Sequence, residues 1–306
     1  MPSRDENLAM WSQQYDWSTR GDEWSSMWGN AEAQWRHTIQ PRINRWIPTN
    51  HLLEIAPGYG RWTQFLLNSS NEYIGVDIAQ NAVDACKQRF SEYRNAKFIK
   101  NDGRSLEEVP QQWIDFVFSF DSLVHVERDD LRAYLQQLAE KLSPSGYGFL
   151  HHSNLGAYSG QGLTRWKEWR AQSVSAKSFR DDCREVGLHC ISQELIPWRG
   201  SRFIDCISVI EVAKEISPAL NRRISLGRLS SSDLATIVIS NPYFMVEALA
   251  VRYIADIYSP NKPVILSNQE DKINTQQNVL SKFIYSARTW LTFVGAMVRN
   301  IYSSGR

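Results

Sequence analysis

The sequence has no excess of charge, few cysteines and no long apolar run, and each absence removes a class of protein. Lysine and arginine number 34 against 33 aspartates and glutamates, a net charge of +1. A nucleic-acid-binding chain usually carries a basic excess, so no nucleic-acid partner is expected. The four cysteines (Cys86, Cys183, Cys190, Cys206) have no Cys-x-x-Cys spacing. They suggest neither a disulfide framework nor a zinc site, and they fit a reducing, cytoplasmic setting. No apolar run approaches the roughly 18 residues of a spanning helix. The opening MPSRDENLAMW is charged and lacks the apolar stretch of a signal peptide.

What remains is enough for a substantial core. Hydrophobic residues make up 42% of the 306, and that length fits a catalytic unit of about 200 residues plus an appendage. Tryptophan is dense. Trp11, Trp17, Trp24, Trp28, Trp35, Trp46 and Trp62 all fall in the first fifth of the chain. Residues 1–48 read as helical. From there short apolar runs alternate with helical periodicity. Strands are expected at His51–Ile55, Tyr73–Asp77, Ala96–Lys100, Trp113–Phe120 and Tyr147–His151. Helices are expected over Gly60–Leu67, Ala79–Phe90 and Asp129–Leu142, with a turn at Ser143–Gly146. This alternation predicts a doubly wound α/β fold with a mostly parallel sheet.

After a loop over 153–164 and a Trp-rich stretch, a helix is expected over 176–186. Leu188–Leu195 and Phe203–Glu211 can then pair as an antiparallel hairpin. The catalytic unit is placed at 49–212, between an N-terminal helical lid (1–48) and a C-terminal helical extension (213–306). The extension shows one short apolar run, Ala235–Ser240, and helices expected near 241–258 and 283–302. The last carries an apolar stripe at helical spacing. Its ten uncharged residues between Arg288 and Arg299 are too few to cross a bilayer. Docking within the chain or in a homodimer is favoured over contact with a membrane surface.

The chemistry begins where the first strand ends. Gly58 and Gly60 permit a tight turn and close approach of a ligand, and Asp77 ends the second strand, where ribose hydroxyls can be met. Two cofactors share that logic. A dinucleotide fingerprint wants a third glycine three residues after Gly60, and that position is Thr63. Glu54 beside the turn repels phosphate and suits a cationic amino-acid group. The pattern therefore favours S-adenosylmethionine over a nicotinamide cofactor.

Glu54-Ile55-Ala56-Pro57-Gly58-Tyr59-Gly60 resembles the first motif of the class I (Rossmann-like) methyltransferases, with Ala56 in place of its first glycine. The resemblance covers about residues 48–212. It implies a seven-stranded sheet with an antiparallel last strand and S-adenosylmethionine as cofactor. It also implies that Glu54, Ala56, Gly58 and Gly60 hold the methionine side and that Asp77 and Ile78 meet the ribose. Asp102 and Gly103 would read the adenine edge, and Phe120 and Asp121 would line the methionine end. FDSLVHVE (120–127), HHSNLGAY (151–158) and LHCISQEL (188–195) resemble methyltransferases of bacterial surface-polysaccharide gene sets. An acceptor hydroxyl on a sugar or glycan precursor is the implied substrate. N- or carboxyl-methylation of another small metabolite, or a non-catalytic S-adenosylmethionine-binding subunit, are the alternatives.

Three histidines, His125, His151 and His152, lie at carboxyl ends of strands, where open α/β sheets bind ligands. Each is a candidate base for a hydroxyl acceptor, a role worth about 10²–10⁴-fold, with His125 and His152 ahead of His151. Adjacent strand residues face opposite sides, so one of the pair His151/His152 is expected to pack rather than react. No ligand spacing demands a metal, although Asp121, His125 and His152 could converge. Trp24, Trp28 and Trp35 are candidates to cover the cofactor or stack on a sugar, and Trp28-Gly29 leads them. Arg165, Lys167 and Arg170 could meet an acceptor anion, though a solvated basic stretch is favoured.

Overall fold

The computed structural model describes residues 3–160, 169–196 and 203–213, together with the backbone of 236–238. The chain opens with α1 (Arg4–Ala9), whose Ser3 and Glu6 form a capping box. A single π turn continues it over Met10–Gln14. A 3₁₀ segment, Asp22–Trp28, leads to α2 (Ala31–Gln34), a second π turn (Trp35–Ile39) and α3 (Gln40–Ile43). The expected N-terminal helical unit is thus built from short pieces.

Alternation then follows the sequence pattern: β1 (Thr49–Ile55), α4 (Thr63–Leu66), β2 (Ser70–Asp77), α5 (Gln80–Arg89), β3 (Ala96–Lys100), β4 (Ile114–Ser119), α6 (Arg128–Lys141) and β5 (Leu142–Ser153). After α7 (Ala176–Glu185) come β6 (Leu188–Ile196), β7 (Asp205–Val212) and β8 (Thr236–Val238). The sheet order is β3-β2-β1-β4-β5-β7-β6-β8. The first five strands run parallel, and β7 is antiparallel to both β5 and β6. This is the expected doubly wound sheet with its antiparallel hairpin, extended at the β6 edge by three residues of the tail in β8.

The turn expected at Ser143–Gly146 lies inside β5. Pairing there jumps from Ile114↔Leu142 to Phe116↔Tyr147, so extra residues are accommodated as an irregularity in the ladder. Gly146 permits it, since a Cβ would meet the Ile114 carbonyl oxygen at 2.5 Å.

Each face of the sheet has its own core. On one face Leu52, Phe116, Phe118 and Phe149 pack with Trp28, Trp35, Ile39 and Ile43 of the N-terminal unit and with Val83 and Phe90. On the other, Leu53, Val117, Leu150 and Ile210 pack with Leu131, Leu135 and Leu138 of α6 and Phe179 of α7. The N-terminal unit is therefore a structural layer, and its helix axis carries Trp35 onto Phe65 with centroids 5.0 Å apart. All four cysteines are buried free thiols. Among the described residues no helix is long and apolar enough to cross a membrane. The helices expected over 241–258 and 283–302, with the dimer or membrane contact read from the second, lie outside the described residues, as do Arg165 and Lys167.

Candidate functional site

The carboxyl ends of β1, β2 and β4 border one pocket, at the edge where sheets of this kind bind ligands. Ile55, Ala56, Gly58, Val76, Asp77 and Ile78 line it from the first two strands, Gly103 from the loop after β3, and Asp121, Ser122, Leu123, His125 and Val126 from beyond β4. Tyr134 of α6 and Asn7, Trp11, Trp17 and Trp24 of the N-terminal segment complete it. Among the described residues, two carboxylates and no lysine or arginine line this cavity. The negative charge of those carboxylates repels a pyrophosphate.

The turn after β1 is shaped by backbone that ordinary residues resist. Ala56 (φ 58°), Gly58 (57°) and Gly60 (82°) all adopt left-handed conformations. Asp77 pins the turn: its carboxylate accepts from the Gly58 N–H at 3.0 Å and the Ala79 N–H at 2.9 Å. Burial pushes its pKa up to about 6, opposed by those hydrogen bonds. A carboxylate offers about four acceptor sites, so capacity remains for ribose hydroxyls.

Several of the expected site residues lie away from the pocket lining. Glu54 does not line the pocket. It is buried beneath the turn, accepting from the Thr63 hydroxyl at 2.7 Å and the Tyr73 hydroxyl at 2.5 Å. Burial raises its pKa to about 7. The Thr63 that breaks the dinucleotide fingerprint is thus a partner of this acid. Gly60 packs closely against α5, where a Cβ would lie 2.4 Å from the Phe90 ring. Phe120 turns into the core, stacked near Phe149. Asp102 turns onto its own loop, accepting from the N–H groups of Arg104 and Ser105, while Gly103 beside it lines the pocket.

The histidines separate by face. His152 is fully buried against Phe179, ring centroids 4.1 Å apart, with Nε2 2.8 Å from the Ser208 hydroxyl. It is therefore not placed as a base, and burial takes its pKa down to about 4. His152→Ala is expected to cost about 1–3 kcal/mol of stability through unpaired polar groups, with turnover close to wild type. Denaturant melts alongside a rate assay check this, and a 10²-fold loss of rate would restore His152 to the site.

His151 lies on the opposite face, inside a buried chain of charges. Its Nδ1 is 3.2 Å from Asp121 Oδ1 and its Nε2 3.4 Å from Asp205 Oδ2. Arg61 pairs with Asp121 at 2.6 Å, and Arg170 with Asp205 through two bonds of 2.6 and 2.7 Å. Burial alone would lower the His151 pKa, but hydrogen bonds to the two aspartates outweigh it and raise the value. The Asp121 backbone N–H also donates to Nδ1 at 3.1 Å, so His151 braces Asp121 and does not line the pocket. Burial would raise the pKa of Asp121, yet Arg61 and His151 hold it at about 2. Arg170 is committed to Asp205 and is not a solvated acceptor contact.

His125 alone of the three borders the pocket. Its Nδ1 contacts the Trp169 carbonyl oxygen, an acceptor only, so Nδ1 carries the proton and Nε2 the lone pair. Burial, with Arg170 nearby, pulls its pKa down to about 4. The imidazole is therefore neutral at physiological pH. Among the described residues no group of three or more histidine, cysteine, aspartate or glutamate side chains is placed to hold a metal ion.

Trp28, the leading lid candidate, is core: it is 1% exposed, and its Nε1 donates to the Thr38 hydroxyl at 2.8 Å. The residues that do cover the pocket are Trp11, Trp17 and Trp24. Asn7 ties this segment down by donating to the His125 carbonyl at 2.9 Å. The tryptophan density was the signal for them, but helical spacing could not say which rings face the cavity.

Residues 52–146 match the family model described as a methyltransferase domain. This stretch is similar to a methyltransferase domain. The pocket would suit S-adenosylmethionine, with an acid for the ribose and apolar walls for the adenine. The chain is also 28% identical over 99 residues to the ribosomal RNA small subunit methyltransferase A of Dehalococcoides mccartyi, covering 32% of this chain and 33% of that protein. It thus spans about a third of the length of the curated relatives it matches. Among solved structures, a S-adenosylmethionine-dependent methyltransferase from Clostridium acetobutylicum superposes with a TM-score of 0.48 at 14% identity, covering 65% of this chain and 96% of that one. The N-methyltransferase NodS from Bradyrhizobium japonicum gives 0.48 at 16%, covering 63% and 93%.

Proposed function

We propose that this chain is an S-adenosylmethionine-dependent methyltransferase that methylates a hydroxyl of a sugar or glycan precursor. The observation that carries the reading is His125, a neutral imidazole at the pocket wall with its tautomer set by the Trp169 carbonyl. The donor supplies an electrophilic methyl group on a sulfonium centre. Asp77 and the turn at Ala56–Gly58 hold the donor, while Asp121, fixed by Arg61 and His151, shapes the methionine end. His125 Nε2 takes the acceptor proton as the new bond forms. Orientation of two bound reactants is the larger contribution, about 7–11 kcal/mol. The near-neutral charge of the chain goes against a long nucleic-acid acceptor. The narrower polysaccharide reading rests on the resemblance of residues 120–127, 151–158 and 188–195.

An amine acceptor is the second reading. It is favoured by the low pKa of His125, because a weak base suffices for a nucleophile that needs little help losing its proton. A labelled-methyl transfer screen separates the two. Sugar nucleotides, lipid-linked sugars and envelope glycans form one set, and amine and carboxylate metabolites the other. Label appearing only in the second set would reject the hydroxyl assignment.

A further inference from the structure

The aromatic cover of the pocket is arranged with respect to both ends of the donor site. Trp17 stacks on Tyr59 with centroids 4.5 Å apart and planes within 2°. A Cβ on Gly58 would come within 2.9 Å of its ring. Trp17 therefore lies over the turn that holds the methionine end. Trp11 lies against His125, centroids 5.1 Å apart, at the acceptor end. The two rings are 6.1 Å from each other and bridge the interval between those ends. A donor bound between those ends would bring its sulfonium, which joins the methionine portion to the ribose, toward that interval.

Of the two carboxylates that line the pocket, one is paired with a cation and the other holds the turn. Asp121 is engaged by Arg61 at 2.6 Å and by His151 at 3.2 Å. Asp77 is turned toward the amides of Gly58 and Ala79. Trp24 completes the aromatic cluster at 5.8 Å from Trp11, but the Arg61 guanidinium already sits 5.2 Å from its ring centre. Trp11 and Trp17 line the pocket with no cation-ring contact of this kind among the described residues, although Tyr15 packs edge-on against both and Tyr59 covers one face of Trp17. An aromatic face attracts a cation within about 6 Å through its quadrupole. The spent donor, S-adenosylhomocysteine, has lost the methyl and with it the positive charge.

We propose that Trp11 and Trp17 form a cation-selective wall that holds the charged donor and releases the neutral product. The inference rests on the donor reading given above and adds a device that limits product inhibition. Calorimetry of the full chain with S-adenosylmethionine and with S-adenosylhomocysteine tests it. The wild type is expected to bind the sulfonium form about fivefold more tightly, the size of one exposed cation–π contact. Trp11→Leu and Trp17→Leu should bring the two affinities close to parity, chiefly by weakening S-adenosylmethionine. Trp11→Phe, which keeps a ring, should retain part of the preference. If the leucine variants do not fold, the wild-type ratio and the phenylalanine variant decide. A wild type that binds the product as tightly as the donor overturns the proposal, and so do leucine variants with an unchanged ratio. A wild type that binds neither ligand removes the donor reading itself, a different failure.

Discussion

Asp77→Ala should weaken S-adenosylhomocysteine binding about 10- to 100-fold, corresponding to roughly 1.4–2.7 kcal/mol. Two effects combine. The carboxylate is the acceptor available to the ribose, and it also clamps the Gly58 amide that gives the turn its shape. The same residue predicts a pH dependence. Burial raises its pKa to about 6, so the carboxylate is charged above that value and becomes an acid below it. Affinity should therefore fall as pH drops from 8 to 5, and Asp77→Asn should lose most of that dependence. Calorimetry at pH 5, 6.5 and 8 on both proteins reads this directly. An affinity that is flat with pH, or an alanine variant within threefold of wild type, would show that Asp77 does not contact the cofactor.

His125→Ala should lower turnover by about 10²-fold and leave S-adenosylhomocysteine affinity near the wild-type value. The backbone anchor of the lid is the His125 carbonyl, held by Asn7, and the substitution keeps it. The pH profile is distinctive. An ordinary imidazole would place the rate inflection near 6.5, but burial lowers this one to about 4. His125 is protonated, and inactive as a base, only below that value. With the donor kept saturating at every pH, the wild-type rate should be level between pH 6 and 8 and decline toward pH 4, and the variant should lack the decline. An inflection near 6.5 that survives in His125→Ala would assign the base elsewhere.

The scaffold was legible because its signals are local. The apolar run ending at Ile55, the left-handed turn at Gly58 and the acid at Asp77 sit within one strand–turn–helix–strand unit. The hairpin of β6 and β7 followed from two strand-like runs separated by turn residues. Failures arose where the decisive question was which face a side chain takes. Period-two alternation says that His151 and His152 diverge, but not that His152 meets Phe179 while His151 meets Asp121 and Asp205. Glu54 and Phe120 carry suggestive chemistry beside a site, yet both point into the layers that support it. A buried charge chain running from Arg61 to Arg170 joins residues more than a hundred positions apart. No spacing rule reports such a contact, and the lid rings Trp11 and Trp17 were likewise identified only by their positions over Gly58 and His125.

Calorimetric titration of the purified chain with S-adenosylhomocysteine, run beside an identical titration with NADH, tests the central claim most directly. The pocket, lined by two carboxylates and, among the described residues, by no lysine or arginine, predicts saturable binding of S-adenosylhomocysteine at one site per chain and no heat of binding from NADH. Tight NADH binding with no response to S-adenosylhomocysteine would contradict the account.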